Sequence, residues 1–330
     1  MMISTKSSSL QTAPQMVQGI PVVNIAGLRS ADPAARAAVG AQMRAACLDK
    51  GFFYIAGHGI ERGLINAAFV QSENFFNSPP ESKWLVDKAH SPCNRGYEPL
   101  GAQVLEAGAP PDLKESFYIG VDLPADDARV LAGKFNHGAN QWPRDMPAFR
   151  PAMQAYFDAM TALGELLMRG LALSLQLDEQ HFAAFCRDPV ATLRLLHYPP
   201  QPANPQPGEK GCGAHTDFGS LTILAQDDVG GLQVWDGAQG WIAAPPIADT
   251  FVVNLGDLIA RWTNDSYRST LHRVVNTAGC ERYSMPFFFT GNPDYVVSCL
   301  PNCATPEAPA KYQPVTTLEH LSDCYRRTYG

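Results

Sequence analysis

The order of apolar and polar positions divides the chain near residue 188. Before that point the periods are mixed. IPVVNIAGL (20–28) is a short apolar run between the Gln18, Gly19 and Gly27 turn signals and predicts a strand. ADPAARAAVGAQMRAACLDKG follows, with Asp32 placed to cap, Pro33 at the first helical position and Gly51 just past the end, so a helix is expected. GFFYIAGHGI (51–60) predicts a second apolar strand, and the chain therefore opens as β-α-β. Another helix is expected from about 61 to 77, ahead of Pro79 and Pro80. Residues 95–120 read as loop until KESFYIG turns strand-like. From 146 to 175 apolar residues recur at helical spacing, which predicts one long helix whose methionine and aromatic stripe packs the core.

After Asp188 and Pro189 the period shortens. ATLRLLHYP, GCGAHTDFG, SLTILAQ, GLQVW, TFVVNLG, LHRVVN, RYSMPFFFT and DYVVS alternate apolar and polar positions, with Gly, Pro, Asn and Asp between them. Such spacing predicts a sandwich or barrel, with Asn264 and Asp265 as a hairpin turn. A helix over 318–329 ends the chain. The expected fold class is α+β with a mainly β core. Its parts are a loose N-terminal tail (1–18), a mixed α/β and helical region (19–187), a β core (188–298) and a C-terminal segment with a helix (299–330). No internal repeat or low-complexity linker interrupts this order.

Composition narrows the function classes. A chain of 330 residues, 45% hydrophobic, can bury the core of one large domain or two closely packed ones. The net charge is −7 and the basic residues are scattered, which argues against nucleic acid as a partner. No apolar run approaches the ~20 residues of a membrane span. The N-terminus also lacks the apolar stretch of a secretory signal, so a cytoplasmic protein without a membrane partner is expected. Eight cysteines form no CxxC pair, and CLPNC (Cys299 to Cys303) reads as two ordinary thiols rather than a zinc site.

Candidate chemistry centres on GAHTDFG. Along a strand, alternate side chains share a face, so His215 and Asp217 would point together and Thr216 away. His272, 57 residues after His215, is the candidate third member. Two histidines and a carboxylate make the facial triad of a non-haem Fe(II) site. Equally, this spacing suits a hydrogen-bonded core histidine beside a turn aspartate. Zinc hydrolases that use the same residue types carry HExxH on a helix, which is absent. Arg282 and Ser284 share a face of RYSMPFFFT, where an Arg and a hydroxyl form a carboxylate clamp. The surrounding apolar residues imply burial, and a buried Arg calls for an anion. Asn254 and Asp257 read as turn and strand hydrogen-bonding residues, and His58, between glycines, as structural.

Taken in order, PVVNIAGL, GFFYIAGHGI, NRGYEPLG, KESF, LRLLHYPPQP, GAHTDFGSLTIL, GGLQVW, FVVNLGDLIARWTNDSYRSTLHRVV and RYSMPFF span nearly the whole chain. The chain resembles the iron- and 2-oxoglutarate-dependent dioxygenases of the isopenicillin N synthase-like family. The resemblance implies that the β-rich half is a double-stranded β-helix, a cupin-like jelly roll. It also implies that His215, Asp217 and His272 ligate Fe(II), and that Arg282, Ser284 and Tyr198 bind the 2-oxoglutarate cosubstrate. Many plant members carry asparagine two residues before that tyrosine, where this chain has Leu196. The implied activity couples decarboxylation of 2-oxoglutarate, to succinate and CO2, with hydroxylation, desaturation or cyclisation of a small molecule. O2 is consumed, and ascorbate is an optional reductant. No protein general base is needed, and the expected state is a monomer or weak homo-oligomer. A 2-oxoglutarate-independent iron oxidase, an ethylene-forming enzyme and a non-catalytic ligand-binding barrel are the alternatives on this scaffold.

Strand parity and the resemblance together suggest a substrate pocket. Phe288 shares the face of Arg282 and Ser284, whereas Phe287 and Phe289 do not. Ser116 and Tyr118 face the pocket by resemblance, Phe218 flanks the iron, and Arg95 and Tyr97 lie in the loop that covers the substrate. On the strand bearing Tyr198, Arg194 shares its face and His197 does not.

Overall fold

The computed structural model describes residues 15–329. Residues 1–14 of the expected loose tail lie outside the described residues, but its end is ordered. There β1 (Gln15–Val17) turns back on β2 (Ile20–Asn24). The strand expected over 20–28 stops at Asn24, whose side chain accepts the Ala26 N–H and caps a 3-10 turn, Ile25–Arg29. α1 (Pro33–Asp49) begins as expected, with Asp32 accepting the Ala34 N–H. β3 (Phe52–Ala56) pairs parallel with β2 and completes the β-α-β unit.

α2 (Arg62–Phe76) and α3 (Pro80–Trp84) follow. β4 (Gly96–Glu98) lies in the segment read as loop, too short to reveal an alternation, and pairs with β5 (Glu115–Gly120). After the short α4 (Ala128–Leu131), α5 (Phe149–Ser174) is the expected long helix. The β-rich half supplies β6 (Val190–Tyr198), β7 (Cys212–His215), β8 (Leu221–Gln226), β9 (Leu232–Asp236), β10 (Gly240–Ala243) and β11 (Phe251–Leu255). α6 (Asp257–Trp262), β12 (His272–Val274), β13 (Arg282–Gly291) and α7 (Thr317–Tyr329) follow in chain order. The expected hairpin turn at Asn264 and Asp265 is instead the left-handed exit from α6, at φ 52° and 65°.

Two sheets face each other in the expected jelly roll. The larger runs β1-β2-β3-β11-β8-β13-β6-β5-β4 and the smaller β10-β9-β12-β7. Strands from both sides of residue 188 share the larger sheet, so the two halves build one layer. Its outer face packs on α1, α2 and α5, where Phe287 meets Phe157 at 5.3 Å between ring centroids. Its inner face turns to the smaller sheet, with Tyr54, Leu196, Tyr198, Cys212 and Val234 buried between them. Alternation along β13 therefore sends Met285, Phe287 and Phe289 to the helices, and Arg282, Ser284 and Phe288 inward. No helix among the described residues is long and apolar enough to cross a membrane.

Candidate metal centre

His215 is the last residue of β7 and His272 the first of β12; antiparallel pairing sets them directly opposite each other. Their ring centroids are 4.3 Å apart. The strand ends at His215, so Asp217 reaches the histidines from the following loop rather than from a shared strand face. Asp217 Oδ1 nevertheless lies 3.7 Å from Nε2 of each. Both Nδ1 atoms face backbone carbonyls, that of His215 at 2.8 Å from Gly213 O and that of His272 at 3.1 Å from Thr270 O. These bonds assign the proton to Nδ1 and leave each Nε2 with a bare lone pair.

The other aspartate oxygen is spent. Asp217 Oδ2 accepts from Thr222 Oγ1 at 2.5 Å and from Asn254 Nδ2 at 2.6 Å. Thr222 and Asn254 are paired across β8 and β11, so two neighbouring inner-face side chains orient one carboxylate. Asn254 thus does more than the turn and strand bonding expected of it. The signal was available in FVVNL, where alternation sets Asn254 on the face of Val252. Burial pushes the His215 and His272 imidazoles below the usual histidine range, which favours the neutral, ligating form. Burial would raise the Asp217 carboxyl, but the adjacent His272 and His215 hold it below its usual value. Two imidazole nitrogens and one carboxylate oxygen, all within 4.8 Å of one another, suit a ferrous ion with positions left for other ligands.

Arg282, Ser284 and Tyr198 come together on the inner face. Arg282 is 0% exposed and lies opposite Tyr198 across β13 and β6, its guanidinium 4.8 Å from the Tyr198 ring centroid. It donates to Gly230 O, to Ser284 Oγ at 3.2 Å and to Gln226 Oε1 at 3.2 Å. Among the described residues no carboxylate forms a salt bridge with it; its hydrogen-bond partners are neutral, and Asp227 feels its charge without direct contact. Burial pushes the Tyr198 phenol up, so it stays protonated. Cys212 lies between this group and the metal ligands, packed with Tyr198 and with Sγ 3.9 Å from His215 Nδ1.

A cavity of about 360 Å³ opens on His215 and Asp217. Tyr118, Phe218 and Phe288 line it, as expected. Ser116 lies on the Tyr118 face but is covered, bonded to Glu98 Oε2 at 3.1 Å and to the Arg194 guanidinium at 2.8 Å. Arg95 and Tyr97 do not line the cavity. Arg95 is 1% exposed and donates to Cys93 O and to Asn136 O, so it orders the segment carrying the cavity residue Asn136. Tyr97 sits opposite Phe117 on the helix-facing side of the sheet, its hydroxyl 2.6 Å from Glu115 Oε2. Sequence reading placed Arg194 on the inner face without a role and gave α7 no part in the pocket. Arg194 reaches the cavity while ion-paired to Glu98 at 3.1 Å; burial opposes ionisation of that carboxyl, but Arg194 and Lys88 hold it down at about 2. α7 was expected as a helix but not as a wall, and it contributes Leu321 and Tyr325.

α7 is anchored on the ligand loop. His320 Nε2 lies 3.1 Å from Phe218 O, while the Asp257 N–H donates to Asp217 O at 2.8 Å. Asp257, His320 and Cys324 form a second group of ligand-type side chains within 4.8 Å, but Arg327 already donates to Cys324 Sγ at 3.2 Å. Cys299 and Cys303 join no such group among the described residues. His58 Nδ1 accepts the Ile60 N–H at 3.1 Å, a structural bond.

The model of the N-terminal region of non-haem dioxygenases in morphine synthesis matches residues 20–145, and that of the 2OG-Fe(II) oxygenase superfamily matches residues 189–291. The chain is 43% identical to the 2-oxoglutarate-Fe(II) type oxidoreductase hxnY of Emericella nidulans, over 94% of this chain and 90% of that protein. A full-length Neurospora crassa protein, solved in complex with alpha-KG and thymine, superposes with a TM-score of 0.82 at 31% identity, over 94% of this chain and 97% of that one. A 2OG-Fe(II) oxygenase family protein from Caulobacter crescentus gives a TM-score of 0.82 at 31% identity, over 93% and 98% of the two chains.

Proposed function

The chain belongs to the 2OG-Fe(II) oxygenase superfamily, and on that footing we propose a role for each residue of the site and a class of substrate. The enzyme depends on Fe(II), 2-oxoglutarate and O2 and acts on a small molecule. His215, Asp217 and His272 hold the iron, and Arg282, Ser284 and Tyr198 hold the distal carboxylate of 2-oxoglutarate. Bound there, the iron supplies O2 activation coupled to decarboxylation of 2-oxoglutarate to succinate and CO2. Asn254 and Thr222 keep Asp217 Oδ1 turned to the metal. The phenol of Tyr198 and the hydroxyl of Ser284 offer hydrogen bonds beside the Arg282 charge, which together fix the direction in which the cosubstrate lies. The observation that carries this reading is Asp217 Oδ1 at 3.7 Å from two bare Nε2 atoms.

The substrate proposed is a compact, uncharged ring compound with hydrogen-bonding edges. A cavity of about 360 Å³ limits its size. Phe218 and Phe288 offer apolar faces, and Tyr118, Asn136 and Thr290 offer polar contacts. The cation at the cavity, Arg194, is matched by Glu98, which leaves little attraction for an anion. The thymine bound by the Neurospora crassa protein is a molecule of this type.

Anaerobic addition of Fe(II) and 2-oxoglutarate, followed by a succinate-release screen of ring compounds against straight-chain acids, tests the reading. A visible charge-transfer band in wild type, lost in His215→Ala, with turnover confined to the ring compounds, is expected. A band that survives His215→Ala would refute the ligand roles, and turnover of chain acids alone would refute the substrate class.

A further inference from the structure

The strand that carries His215 is irregular just before it. Across β7 and β12, His215 faces His272 but Cys212 faces Val274, so β7 has one residue more than its partner over this stretch. Such a bulge re-aims the side chain that follows it. It also takes backbone N–H groups out of the ladder, and here two consecutive ones are received by carboxylates of the segment between β4 and β5. The Gly213 N–H donates to Asp112 Oδ1 at 2.8 Å, and the Ala214 N–H donates to Glu106 Oε2 at 3.0 Å.

The Ala214 N–H and the Gly213 C=O belong to one peptide unit. At one end that peptide meets the Glu106 carboxylate; at the other it receives His215 Nδ1 at 2.8 Å. The arrangement is a carboxylate–peptide–histidine chain, the relation an outer carboxylate commonly has to a ligating histidine with a peptide placed between. Both acids are held in turn, Asp112 by Lys114 and Glu106 by Lys210 at 3.0 Å. The contact is close as well as polar. A Cβ on Gly213 would lie 2.8 Å from Glu106 Cβ and 2.8 Å from Glu106 N, so glycine alone lets the segment sit this near.

We propose that Glu106 and Asp112 are positioning residues for His215, holding the β7 bulge so that Nε2 points at the metal; this rests on His215 being a ligand. Glu106 is the cleaner test, because it is partly exposed and its removal leaves the buried Lys114–Asp112 pair intact.

The experiment uses the full chain. Co(II) affinity, the visible spectrum of the Co(II) form and the melting temperature of the metal-free protein are measured for wild type, Glu106→Ala, Glu106→Gln and the Lys114→Met/Asp112→Leu double variant, which removes the acceptor of the Gly213 N–H. Glu106→Ala and the double variant should bind Co(II) about tenfold or more weakly with altered bands. Glu106→Gln, which keeps an acceptor for the Ala214 N–H, should recover most of the affinity. The metal-free Glu106→Ala protein should melt close to wild type. Unchanged affinity and spectrum in Glu106→Ala would overturn the proposal. So would an affinity loss that merely follows a lowered melting temperature, since that is loop anchoring. His215→Ala separates the two layers: wild-type Co(II) binding by that variant would refute the ligand assignment itself.

Discussion

Replacing Arg282 with methionine should weaken 2-oxoglutarate binding while leaving the empty protein about as stable as before. The two effects follow from one fact: Arg282 is 0% exposed and has no carboxylate partner among the described residues. A carboxylate seated on its guanidinium would gain two charge-assisted hydrogen bonds at roughly 1.5–3 kcal/mol each. Their loss, about 3–6 kcal/mol, raises the Kd for 2-oxoglutarate by roughly 10²- to 10⁴-fold. Removing one partner of a closed buried ion pair usually costs 3–5 kcal/mol, because the other charge is stranded. No directly paired charge would be stranded here, although Asp227, which is stabilised by the Arg282 charge without a salt bridge to it, would lose that support. What remains are the acceptors Gly230 O, Ser284 Oγ and Gln226 Oε1, offset by removal of a buried cation, so a stability change below about 2 kcal/mol is expected. Anaerobic titration of 2-oxoglutarate into the Fe(II) protein, read by its charge-transfer band, measures the first quantity; denaturant unfolding of the metal-free protein measures the second. An unchanged Kd, or destabilisation of about 3 kcal/mol or more, would refute the reasoning and make Arg282 a structural residue.

Three further outcomes are expected. Asn254→Leu removes one of the two donors to Asp217 Oδ2 and should weaken Fe(II) binding about tenfold, checked by metal competition; wild-type affinity would mean that Thr222 alone suffices. Phe288→Ala should raise the substrate KM with little effect on unfolding, whereas Phe287→Ala, against Phe157 on the other face, should cost about 3–5 kcal/mol in denaturant unfolding; similar behaviour of the two would contradict the inward parity of β13. Glu98 is depressed in the folded state to about 2, so its stabilisation is present above the unfolded carboxylate pKa and lost as pH falls from about 4.5 toward 2. Glu98→Gln should flatten the stability–pH curve in that window, and an unaltered acid limb would show that the Arg194 pair contributes nothing there.

What could be read from sequence was whatever depends on local period. The β-α-β opening, the long helix over Phe149–Ser174 and the inward set Arg282, Ser284 and Phe288 follow from spacing alone, because helical and strand periods are properties of a few consecutive residues. Register between strands is not local. That His215 stands opposite His272, and Thr222 opposite Asn254, depends on strands that meet only after folding. Asn254 was therefore read as a turn and strand hydrogen-bonding residue, although its side chain donates to Asp217 Oδ2. The misplaced candidates have the same origin. Three residues of β4 gave no alternation, so nothing in the sequence revealed that Tyr97 faces the helices and Glu98 the interior. α7 was legible as a helix, but its role as a cavity wall goes with the contact of His320 with the loop after β7, far apart in sequence.

Register also bears on the proposal that one inner face takes a dianionic cosubstrate at one place and an uncharged substrate at another. In the register of β5 with β6, Lys114 continues opposite Tyr198, and Tyr198 stands opposite Arg282, so three polar side chains cross the sheet in a row. Two residues further along each strand, Ser116, Leu196 and Ser284 form the next row, and beyond it Tyr118 faces Arg194. Of the three inner-face cations, Lys114 is closed by Asp112 and Arg194 by Glu98, while Arg282 meets only neutral acceptors and an aromatic ring. Because a closed pair offers little field to a passing anion, a carboxylate entering this space gains most at the β13 end. On the proposed binding mode, the orientation of the cosubstrate would be set by which cation lacks a salt-bridged carboxylate, rather than by the number of cations present. The same reasoning makes the Leu196 position tolerable: an uncharged residue in the middle row withdraws a hydrogen bond there but leaves the attraction that selects the Arg282 end intact.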